Sequence, residues 1–192
     1  MKKIFFAMLL VAAVTAVAQT TSAPAQSAPA QNPTATPAAP QKKEIKDPAE
    51  YNAYVGAVQQ TDAAAKVSGL EAFLTQYPNS VMKEDALETL MGAYQLTLSQ
   101  AKTPDQQKLN QTKMLETGQK VLLVNPCNIR ALALLTYTKN AQLNYADAGQ
   151  TGEKGLQCLP TVPKPDGMSD ADFQKLKDGA ATIFNGAVGV SA

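Results

Sequence analysis

Ala63-Ala-Ala-Lys-Val-Ser-Gly-Leu-Glu-Ala-Phe-Leu-Thr-Gln-Tyr-Pro-Asn-Ser80 decides the fold. Ala63, Val67, Leu70, Leu74 and Tyr77 recur every three or four residues, with Phe73 alongside, which is the spacing of one buried helix face. Pro78 then ends the helix, because proline has no N–H to donate and its ring disfavours helix at the residue before it. Asn79 and Ser80 follow as turn residues, with Ser80 read as the cap of the next helix. Similar stops recur at Asn125-Pro126-Cys127-Asn128 and at Leu159-Pro160. The interval between Pro126 and Pro160 is about 34 residues, a period that belongs to stacked helix pairs.

Working outward, the pattern predicts about seven helices and no strands. Asp47 and Pro48 open a first helix running to about Gln60, and Asp62 caps the second. A third is read over about Val81–Ser99, with Ala86, Leu87, Leu90, Met91 and Tyr94 facing inward. Thr103-Pro104-Asp105 is a fresh start, and this fourth helix runs to about Val124 on Met114, Leu115, Val121 and Leu122. A fifth covers about Asn128–Ala141, with Ala131, Leu132, Leu134, Leu135 and Tyr137 expected to be buried. The sixth, about Ala146–Cys158, is expected to be weak, since Gly149, Gly152 and Gly155 each cost about 1 kcal/mol relative to alanine. Ser169 caps a seventh, whose face is Phe173, Leu176, Ala180, Ile183, Phe184, Ala187 and Val188.

The first 45 residues are of another kind. Lys2 and Lys3, an apolar run from Ile4 to Val14, and Ala16-Val17-Ala18 together read as a secretory signal peptide over residues 1–18, cut between Ala18 and Gln19. The apolar run is shorter than the roughly 20 residues a bilayer requires, so no membrane span is expected in the mature chain. Export to a bacterial periplasm is the expected destination, with secretion as the alternative. Residues 19–45 form a linker rich in Ala, Pro, Gln, Ser and Thr, too poor in apolar side chains to offset the entropy of ordering it.

Composition narrows the function classes. Seventeen lysines and arginines face 16 acidic residues, and loss of Lys2 and Lys3 with the leader makes the balance slightly acidic. That argues against a nucleic-acid partner, which calls for a basic stripe. The chain has no histidine, the commonest general base and metal ligand, and no glycine-rich phosphate loop. No catalytic residue, metal ligand or cofactor site is therefore assigned. The Glu84/Glu88 pair, four apart on one helix face, is read as solvated charge.

With these features in view, residues 46–192 resemble the tetratricopeptide (TPR) family. The likeness lies in the helix hairpins, in small residues such as Ala72 and Ala131 suited to tight crossings, and in Pro78, Pro126 and Pro160 closing successive pairs. Leu-Glu-Ala-Phe-Leu-Thr-Gln-Tyr-Pro-Asn-Ser is particularly similar to repeats of bacterial envelope proteins. The resemblance is degenerate: the aromatic and glycine signature of the first helix is incomplete, and the middle repeat is lengthened. It implies an all-α superhelix with pairs at roughly 47–78, 80–126 and 127–160, and an unpaired last helix at 169–190. It also implies a non-catalytic scaffold binding a protein or peptide on a concave face, with Asn52, Gln95, Lys139 and Asn140 as candidates and one or two of Tyr51, Tyr54, Tyr94 and Tyr137. A structural spacer, or a shortened piece of a longer repeat protein, is the alternative. In stacked hairpins Cys127 and Cys158 fall on the same edge, as a disulfide or as two buried thiols. The apolar last helix suggests self-association.

Overall fold

The computed structural model describes residues 43–192, which lie within one compact unit. The cleavage site at Ala18 and Gln19, the leader and nearly all of the linker lie outside the described residues. The described chain is all-helical: α1 (Pro48–Val58), α2 (Ala63–Gln76), α3 (Lys83–Gln100), α4 (Pro104–Val124), α5 (Ile129–Ala141), α6 (Tyr145–Cys158) and α7 (Asp170–Ser191). No helix among these residues is long and apolar enough to cross a membrane.

Local chemistry sets most of the starts. Asp47, Asp62, Thr103, Asn128 and Ser169 each accept a backbone N–H of the first turn through a side-chain oxygen, which satisfies one of the donors a helix start leaves unpaired. The third start differs from the sequence reading. Ser80 Oγ accepts from Met82 N at 3.0 Å, so it shapes a turn ahead of the helix. Met82 is the cap residue and makes no side-chain cap bond.

Each helix packs on the next, and α1 also meets α3 while α5 meets α7. Two apolar clusters result. Leu70, Phe73, Leu87, Leu90, Met114 and Val121 belong to the first, built mainly by α1–α4. Leu132, Cys158, Ala180 and Phe184 form the second, across α5–α7. Helix α5 is the seam, since the neighbouring residues Ala131 and Leu132 belong to different clusters. Both side chains are fully buried, where each apolar group gains roughly in proportion to the area removed from water. Ala72, expected at a tight crossing, is exposed; it falls on the solvent side of α2, between the inward Leu70 and Phe73.

Helix α7 is not left without a mate. It packs on α6 and on α5, and the glycines that seemed to weaken α6 are the reason. Gly149, Gly152 and Gly155 are all buried and recur every third residue along one face. A Cβ on Gly152 would lie 2.9 Å from the Phe184 carbonyl oxygen, and one on Gly155 would run into the Phe184 ring. The α6 backbone therefore meets α7 directly, and the helix gains packing contact where it loses intrinsic propensity. Contacts run from Gly149 near Ser191 to Gly155 at Phe184, so the two helices are antiparallel.

A matched pair of substitutions separates the two kinds of glycine. Gly155→Ala is expected to destabilise by about 1–3 kcal/mol through overpacking against the buried Phe184 ring. Gly186→Ala, where an added Cβ meets nothing within 4 Å, is expected to stabilise by about 0.5–1 kcal/mol. Urea denaturation of both variants checks the opposite signs.

Candidate functional site: a groove between α3, α5 and α7

Glu84 and Glu88 rise one turn apart on α3 and are engaged by the turn between α4 and α5. The Asn125 carboxamide donates to Glu84 Oε1 at 2.6 Å. Asn128 donates to the same oxygen at 3.0 Å and also to Glu88 Oε1. Arg130 Nη1 reaches Glu88 Oε2 at 3.3 Å. The carboxylates are thus hydrogen-bonded anchors, where the sequence suggested a solvated pair. The signal available in the sequence was the two asparagines flanking Pro126-Cys127, each able to donate and accept at once.

The same turn is tied down from its other side. Asn125 Oδ1 accepts Cys127 N at 3.0 Å and Asn128 Oδ1 accepts Ala131 N at 3.0 Å. A disulfide joins Cys127 to Cys158 at the end of α6, with the Cα atoms 5.3 Å apart. On the chain-entropy model, closing a loop of 31 residues contributes about 3–4 kcal/mol.

These anchors fix the spacing of α3 and α5 at one end of a groove of about 750 Å³. Helices α3, α5 and α7 run in the same sense along it, because one antiparallel helix separates each from the next: Asn125 and Gly118 meet Glu84 and Met91 of α3, Gly118 also meets Leu135 of α5, and Cys127 and Lys139 meet Cys158 and Thr151 of α6. Met91, Leu134, Leu176 and Ile183 supply its apolar lining, and Gln95, Arg130, Tyr137 and Lys175 supply polar groups. Gly92 and Gly179 also line it, and a Cβ on either would meet nothing within 4 Å. The bare helix backbone at these two points lets another chain approach closely.

At the groove's acidic end, Lys43 Nζ lies 2.7 Å from Asp85 Oδ2 and 3.7 Å from Glu84 Oε2. Burial lowers the Lys43 pKa, but the Asp85 hydrogen bond and the charges of Asp85, Glu84 and Glu88 outweigh it and hold the ammonium above its ordinary value. Among the described residues no cluster of three or more metal-ligating side chains occurs.

The sequence candidates are dispersed. Gln95 lines the groove. Asn52 is exposed on α1 and does not contribute to it. Lys139 turns towards α6, donating to Thr151 Oγ1 at 2.9 Å. Asn140 Oδ1 is buried without a hydrogen-bond partner, as is the Thr136 hydroxyl one turn earlier. Tyr137, expected in the core, is 63% exposed and stands on the groove. Tyr54 packs on Phe73 with ring centroids 5.3 Å apart, and Tyr51 is exposed. Tyr94 is buried and donates to Glu71 Oε1 at 2.5 Å. Met91, Leu134, Leu176 and Ile183 were read only as core. In a stack of hairpins a helix shows apolar residues both to its neighbours and to the groove, and periodicity does not separate the two.

Compared with protein-family models, with curated proteins and with solved structures, the chain matches none.

Burial first, then the Glu71 hydrogen bond and charge, push the Tyr94 phenol well above the ordinary tyrosine range. Burial, with the charge of Asp85, also raises Tyr54. The folded chain therefore keeps these protons after the unfolded chain has lost them. Their stabilisation is complete below the ordinary tyrosine value of 10.0 and is lost as pH climbs past it. Urea midpoints followed upward from neutral pH are expected to fall above about pH 10, and less steeply in Tyr94→Phe. An equal alkaline loss in that variant would contradict this assignment.

Proposed function

We propose that this chain is an exported, non-catalytic interaction scaffold of TPR-like hairpins that takes a peptide segment of a partner protein into the α3–α5–α7 groove. The observation that carries this reading is the groove itself. It is long, open and apolar along its floor, with polar groups on its flanks, and is made by alternate helices of the stack. A segment laid along it buries apolar side chains on Met91, Leu134 and Ile183. Gln95, Arg130 and Tyr137 are placed to orient it, as the few polar groups of a binding site do. Parallel alignment of alternate helices supports the superhelical reading. The lack of histidine in the chain supports binding over acid–base chemistry. The amino-terminal sequence supports action in the periplasm, with the segment after Gln19 as a spacer.

A displayed random-peptide library selected on the purified protein tests the proposal. Enriched peptides are expected to bind with micromolar affinity. That affinity should fall about tenfold or more when Ala133→Trp fills the groove or Tyr137→Ala removes its exposed aromatic, with unchanged circular dichroism. Peptides whose affinity ignores both substitutions would place binding elsewhere and overturn the assignment.

A further inference from the structure

A second cavity, of about 550 Å³, lies between α2, α3 and α4. Its apolar lining includes Leu74, Leu87, Leu90 and Val124, and Leu123 stands beside them with 85% of its surface exposed. Three lysines, Lys83, Lys113 and Lys120, and two glutamates, Glu71 and Glu116, also line it. Both glutamates are engaged. Glu116 pairs with Lys113 at 3.6 Å, and Glu71 accepts from Tyr94. Among the described residues no ion pair occupies Lys83 or Lys120. The cavity therefore combines an apolar wall with two ammonium groups outside any ion pair, and its three lysines exceed its two glutamates by one positive charge.

The hydroxyls of the cavity are already used. Thr75 donates to the Glu71 carbonyl at 2.8 Å, Thr117 to the Lys113 carbonyl at 2.7 Å, and Tyr94 to Glu71. A bound peptide backbone would bring many donors and acceptors with few protein partners to meet them, and an unmatched buried polar group is costly. A ligand with one anionic group and an otherwise apolar body leaves nothing unmatched. Lysine suits this division, since its methylene stem covers apolar surface while the ammonium meets the charge.

We propose that the α2–α3–α4 cavity is a binding site for a single-headed anionic amphiphile. The carboxylate, sulfate or phosphate head is held by Lys83 and Lys120, and the apolar tail lies along Leu74, Leu87 and Leu90 with Leu123 folded over it. The cavity volume falls within the roughly 300–1,000 Å³ of small-molecule sites. This assignment is independent of the peptide groove, which shares α3 but is lined by different residues of it.

Isothermal titration with decanoate and decyl sulfate, both kept below their micelle concentrations, tests it. One saturable site is expected for each. Affinity should drop about tenfold in the double variant Lys83→Gln/Lys120→Gln, as loss of charge-assisted contacts implies, and clearly in Leu123→Gln. Ala133→Trp, in the other groove, should leave it unchanged, so the two proposals fail separately. Any of four results overturns the assignment: equal affinity for decyl maltoside, equal affinity for inorganic phosphate, no effect of the lysine substitutions in a folded variant, or binding to anionic vesicles without binding to the dissolved amphiphile.

Discussion

The carboxamide of Asn128 is the contact on which the rest of the structure depends. Its oxygen caps α5 and its nitrogen is shared between Glu84 and Glu88 of α3. Asn125 repeats the arrangement three residues earlier, accepting Cys127 N and donating to Glu84. Hydrogen bonds to charged groups contribute about 1.5–3 kcal/mol each, so this short turn, which makes several of them, is a strong point in a chain whose helices meet mainly through apolar packing. Cys127 sits between the two asparagines and carries the covalent link to α6. The turn thus holds α3 on one side and α6 on the other.

Position gives these contacts their weight. The two apolar clusters meet at α5, and Leu122, just ahead of the turn, packs against both. Without a fixed turn, α1–α4 and α5–α7 would be two small helical units, each with a limited core of its own. With it, α3 and α5 are held apart at a set distance and α7 closes the third side of the groove. Anchoring and binding surface are made by successive turns of the same helices: Glu84 and Glu88 hold the turn, while Thr89, Gly92 and Gln95 face the open space. Helices α2 and α4, with other residues of α3, line a different cavity, with a different balance of charge.

The helices were legible because their signals are local. Asp47, Asp62 and Ser169 act at the positions where the sequence places caps, Thr103 opens α4 where a fresh start is read, and Pro78 and Pro126 end helices as their chemistry dictates. What depended on neighbours was not legible. Gly149, Gly152 and Gly155 read as a weakness, because propensity is a property of one helix and the compensating contact with Phe184 belongs to two. Tyr137 and Leu132, five residues apart on α5, look alike in the periodic pattern, yet one is exposed on the groove and the other fully buried. The Glu84–Asn128 contact spans 44 residues, and nothing in the spacing announces it.

Hydrogen exchange read by mass spectrometry across a urea series addresses the role of the turn most directly. If the asparagine–glutamate contacts couple the two clusters, peptides covering Leu70–Leu90 and peptides covering Leu132–Phe184 lose protection at one common midpoint. In an Asn125→Ala/Asn128→Ala variant the two midpoints separate. Separate midpoints in the unaltered chain, or a common midpoint that survives in the variant, would contradict the account.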